Sequence, residues 1–120
     1  MALSKRDITR IERTLVAALT DACETAKAEI PGFEWLTHTV NYEAFPASLR
    51  VTWVFDTQAS KNQALGNGQD ARMRELTAAA LIEADITEAV PVLFDSEEAC
   101  KLKHAGDWRM RLAKLHSARG

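Results

Sequence analysis

Two stretches of the chain alternate between apolar and polar positions. In Leu49-Arg50-Val51-Thr52-Trp53-Val54-Phe55-Asp56, the residues Leu49, Val51, Trp53 and Phe55 share one side of an extended chain. Arg50, Thr52, Val54 and Asp56 share the other. A period of two, with β-branched and aromatic residues, predicts a half-buried strand. Residues 35–42 alternate too, with Leu36, Val40 and Tyr42 on the more apolar side. Residues 43–48 contain Pro46 and connect the two runs, so the pair reads as a β-hairpin. A hairpin alone is marginal in water, and its apolar face needs helices to cover it.

Helical spacing surrounds this hairpin. Ser4 is placed as an N-cap, with Asp7 in the first turn. Ile8, Ile11, Leu15, Leu19, Ala22 and Ala26 then form one stripe, opposite Arg6, Arg10 and Arg13, until Pro31-Gly32 stops the helix. After the hairpin, Thr57 or Ser60 caps a short segment through Leu65, and Gly66-Asn67-Gly68 breaks the chain. Asp70 is placed to cap a second long helix with Met73, Leu76, Ala80 and Ala84 on one stripe and Leu81 on its flank. Ile82 falls on the far side of that wheel. Residues 89–94 are a short apolar run that predicts a third strand, and Pro91 restricts it to an edge or a strand start. Asp95 with Glu98 resembles a capping box for a helix to about His104. Gly106 ends that helix, and Asp107 starts another with Trp108, Leu112 and Leu115 on one face.

The predicted fold is a single α+β domain over residues 1–120, ordered helix-strand-strand-helix-strand-helix-helix. A crossover after the hairpin makes the third strand parallel to the second in a small mixed sheet. Two long helices cover one face of the sheet. The segment around Cys100 and Trp108 packs at its edge or on the other face.

Composition narrows the class. The chain is 47% hydrophobic and 27% charged, which predicts a globular domain without disorder. A net charge of -2 argues against broad sequence-independent nucleic-acid binding. No apolar run reaches the length of a membrane span, and the first residues lack a signal-peptide core. Two cysteines, Cys23 and Cys100, are too few for a disulfide framework. These features predict a cytoplasmic protein, in keeping with a bacterial cytoplasm.

The candidate chemistry is sparse. Cys100 and His104 are four apart on one helix face, and Cys23, His38 or His116 would have to complete a zinc site. None has zinc-finger spacing, so no metal or cofactor is predicted. Cys100 and His104 also lack an orienting third group for nucleophilic catalysis. Gly66-Asn67-Gly68 lacks the remaining glycine and strand context of a dinucleotide loop. No catalytic residue is assigned. From Lys101 onward, six cations face one acid, Asp107, whereas residues 83–98 carry acids alone. The basic side chains Arg6, Arg10, Arg13, Arg109, Arg111 and Lys114 are therefore candidate contacts for nucleic acid or an acidic partner. The structural alternative is a solvated face paired with the acidic segments. Trp35 and Trp108 are candidate interface anchors, or else core.

Three blocks carry a family resemblance: residues 31–38 (PGFEWLTH), 49–57 (LRVTWVFDT) and 94–100 (FDSEEAC). Through them most of the chain resembles a family of small proteobacterial proteins of uncharacterised activity. Some members bear the label "Fis family transcriptional regulator". That label implies a helix-turn-helix and, as in Fis itself, an all-helical chain closed by a basic recognition helix. The resemblance supplies no site residues.

Taken together, the residues predict a small non-enzymatic binding or regulatory protein acting through a protein partner or self-association, including a homodimer. The alternative is a nucleic-acid-binding transcriptional regulator that uses its C-terminal and first-helix basic surfaces.

Overall fold

A computed structural model describes residues 4–88 and 90–117, and side chains as far as Ala113. Helix α1 spans Lys5–Glu29, strand β1 Phe33–Thr39 and strand β2 Arg50–Phe55. Helices α2 (Gln58–Gly66) and α3 (Gln69–Glu83) follow, then strand β3 (Val92–Ser96) and helices α4 (Glu97–His104) and α5 (Trp108–Ser117). The fold is α+β, in the predicted order. A central sheet replaces the all-helical arrangement that the Fis label implies.

The sheet order is β1-β2-β3, with β2 antiparallel to β1 and parallel to β3. Leu36 pairs with Trp53 and Trp53 with Phe94; His38 pairs with Val51 and Val51 with Val92. These side chains define the first face. On the second face, Trp35 pairs with Val54 and Val54 with Asp95, while Thr37 pairs with Thr52 and Thr52 with Leu93. Strand β3 lies at the edge, where the missing N–H of the preceding Pro91 is tolerated. Ala89, the start of the predicted third run, lies outside the described residues.

Helices α1 and α3 cover the first face. Leu15, Ala18, Leu19, Ala22 and Ala26 of α1 share a core with Met73, Ala80 and Leu81 of α3 and with Val51, Trp53 and Phe55 of β2. Phe33 packs on Trp53 and Phe55 at ring separations of 5.0 and 6.0 Å. Trp53 keeps its indole dry and satisfied: Nε1 donates to Thr77 Oγ1 at 3.0 Å. Alanines on both helices allow close approach where α1 crosses α3. Ile82 points away and is exposed.

Local chemistry sets the element ends. Ser4 Oγ accepts from the Asp7 amide, and the Asp7 carboxylate accepts from Ser4 N, a capping box for α1. Gly32 follows α1 at φ +83°, a left-handed conformation that permits the turn into β1. Thr57 caps α2. Within the β1–β2 connection, Ser48 Oγ donates to Asn41 O and accepts from Asn41 N, which pins the two ends together.

Three expectations need correction. Strand β2 is buried on both faces: Thr52 and Val54 are as inaccessible as Val51 and Trp53, and α5 docks on what reads as a polar side. Helix α3 begins one residue before Asp70, with Gly68 at the cap position in the left-handed region. Asp95 is no helix cap: Ser96 takes that place, its Oγ accepting from Ala99 N at 3.0 Å.

Candidate functional site

Functional side chains meet at several places among the described residues. The first is the interface between α5 and the second sheet face. Asp95 enters it from β3 and is 3% exposed; Arg111 meets it from α5 and is 8% exposed. Arg111 Nε lies 2.5 Å from Asp95 Oδ2, and Nη2 lies 2.7 Å from Oδ1. This two-pronged geometry suits guanidinium and carboxylate, and it pushes the Arg111 pKa upward. Arg111 Nη1 also faces His104 Nδ1 at 3.3 Å. Trp108 stacks edge-on against Trp35 at 4.9 Å, and its Nε1 donates to Glu97 Oε1.

This arrangement revises several candidates. Arg111 is withdrawn from the basic surface, since its charge is buried and neutralised by Asp95. Trp35 and Trp108 are anchors for each other, half-buried within one chain. Cys100 is fully buried, and burial pushes its thiol pKa up, away from the reactive thiolate. His104, a helical turn later, faces Arg111. A Cys100–His104 nucleophile therefore lacks both access and activation.

The second place joins α1 to the β1 end of the sheet. Glu12 Oε1 lies 2.8 Å from His38 Nε2 and accepts from the Tyr42 hydroxyl at 3.0 Å. Partial burial, together with Glu12, raises the Tyr42 pKa to about 12. One carboxylate thus ties the helix to strand and loop. Next to it, Cys23 and His38 line a hollow of about 280 Å³, mainly apolar on its α1 side. Burial raises the Cys23 pKa as well. Among the described residues, no group of three or more His, Cys, Asp or Glu could hold a metal ion.

The third place is the outward side of α1. Lys5, Arg6, Arg10 and Arg13 are exposed and line one shallow groove with Thr9. Arg10 Nη2 lies 3.4 Å from Asp7 Oδ1. Among the described residues, Lys5, Arg6 and Arg13 have no acidic partner. The structure therefore brings together the three predicted first-helix arginines. It separates them from Arg109, which α5 carries on the opposite side of the sheet. The Lys114 side chain, like Leu115, His116 and Arg119, lies outside the described side chains. Arg72, by contrast, is already paired: it binds Glu29 and Glu75, and this lowers the Glu29 pKa and raises that of Arg72.

Asn67-Gly68 is the turn between α2 and α3, and Gly66 is the last residue of α2. Among the described residues, no helix is long and apolar enough to cross a membrane. Sequence reading missed the Glu12–His38–Tyr42 cluster, whose members are 26 and 30 residues apart and carry no local motif. It also missed Arg50, which reads as the polar side of a strand. No family model, curated protein or solved structure matches the chain.

Proposed function

We propose that the chain is a non-catalytic binding module whose docking surface is the basic face of α1, and that its partner is an acidic protein segment. The observation that carries this reading is the groove lined by Lys5, Arg6, Arg10 and Arg13, with three of the four cations unneutralised among the described residues. Lys5 and Arg6 occupy the first turn, where the helix dipole is positive. Each costs roughly 0.3–1 kcal/mol there at low salt, a cost that a bound anion removes. The groove runs from position 5 to position 13, about 12 Å along the helix. A short run of Asp or Glu matches that length. Duplex DNA would continue past it towards Asp21 and Glu24 further along α1, and those repel phosphate.

The test uses fluorescence anisotropy at low salt, with a labelled oligoglutamate peptide and a DNA duplex of matched charge. The peptide should bind, weaken as salt rises, and lose binding to Arg6→Glu/Arg13→Glu. Absence of binding by either probe overturns the reading. Preferential binding of the duplex transfers the same surface to the nucleic-acid alternative.

A further inference from the structure

On the opposite sheet face from α1, a hollow of about 690 Å³ opens between α5 and the β1–β2 connection. Arg50, at the first position of β2, and Arg109, in the first turn of α5, both line it. Val40 and Leu112 supply an apolar wall, and Asn41 and Ser48 a polar rim. No described lining residue is acidic. The seven residues after Ala113 contain no Asp or Glu either.

Arg50 is held in position while part of its fork stays unused. Its Nη1 donates to the carbonyls of Ala47 and Leu49 at 2.9 and 3.0 Å. Its Nε is buried and has no hydrogen-bond partner among the described residues. Arg109 has no acidic partner among the described residues. Two guanidinium groups lining one hollow with no acid among its described residues repel each other. An oxyanion between them relieves the repulsion: it accepts from planar guanidinium donors and sits between the two charges. The apolar wall beside them favours a ligand with an apolar body.

We propose that this hollow binds a small organic anion, a carboxylate or phosphate monoester carrying an apolar group, between Arg50 and Arg109. The site is separate from the α1 groove and stands whether or not that groove binds an acidic partner.

Benzoate, phenyl phosphate and the neutral control benzyl alcohol can each be titrated into the full chain by isothermal calorimetry and amide NMR at low salt. One or both anions should bind, with shifts centred on residues 39–50 and 109–113, and benzyl alcohol should not. Binding by benzoate alone assigns a carboxylate, and by phenyl phosphate alone a phosphate; either upholds the site. Arg109→Gln, at an exposed position, should weaken binding about tenfold or more. Arg13→Gln, on α1, should leave it unchanged. Binding by neither anion, equal binding by the alcohol, or equal loss in the two variants overturns the proposal.

Discussion

Asp95 and Arg111, sixteen residues apart, are buried against each other in a two-pronged ion pair that fastens α5 to the sheet. The pair sits where the parallel strand β3 meets the C-terminal helix, and it explains why a charged residue occupies a strand otherwise read as apolar. Removing one partner leaves a buried charge alone. Asp95→Ala should therefore cost about 3–5 kcal/mol in urea unfolding, and Asp95→Leu/Arg111→Met should recover most of that loss. If the double variant is as unstable as the single one, the pair does more than neutralise itself.

Two buried threonines should respond oppositely to the same substitution. Thr77 Oγ1 accepts from the Trp53 indole, whereas Thr52 Oγ1 has no partner among the described residues. Thr77→Val strands the indole N–H and should cost about 1–3 kcal/mol. Thr52→Val removes an unsatisfied hydroxyl and should be neutral or stabilising by about 1 kcal/mol. Denaturant midpoints at constant m-value measure both.

Gly32 carries two separable constraints. Its φ is +83°, and an added Cβ would lie 2.6 Å from the Ser60 side chain. Gly32→Ala should lose about 1–2 kcal/mol from the left-handed backbone alone, and more from the contact. Adding Ser60→Gly should return the contact part only. Full recovery would show that the backbone carries no strain.

Tyr42 is the only tyrosine, so phenolate absorbance reports on it alone. Burial first, and the Glu12 carboxylate second, raise its pKa from 10.0 to about 12. The folded chain keeps the proton where the unfolded chain has lost it. The contribution to stability is full below the ordinary tyrosine value and disappears as pH rises through about 12. Spectroscopic titration should show the late transition, and Tyr42→Phe should flatten the alkaline fall in stability. Glu12→Gln should move the transition back towards the ordinary value.

Most elements were legible because periodicity and caps are local. The stripe from Ile8 to Ala26 marks α1, the alternation from Leu49 to Phe55 marks β2, and Pro31-Gly32 marks the break between α1 and β1. The side assignments of β2 were half legible. Thr52 and Arg50 signal solvent, yet Thr52 is buried on the sheet face where α5 docks through Trp108 and Arg111, residues more than fifty positions away. Asp95 misled for a related reason: before a helix an acid reads as a cap, and only the fold brings Arg111 to it. Of the candidate surfaces, the α1 arginines were legible because a helix places them on one side by spacing alone. The Arg50–Arg109 hollow joins two elements distant in sequence, and no motif announces it.

The two sheet faces are protected unequally. One lies under α1 and α3, helices of 25 and 15 residues sharing a continuous core. The other depends on α5, a helix of ten residues whose described contacts to the sheet include the Asp95–Arg111 ion pair and the Trp35–Trp108 stack. Partial opening therefore begins at α5, and amide exchange should be fastest there among the helices that cover the sheet. Such opening bares Leu93 and Val54, so aggregation on gentle warming would start from this side while the other half of the molecule is still native.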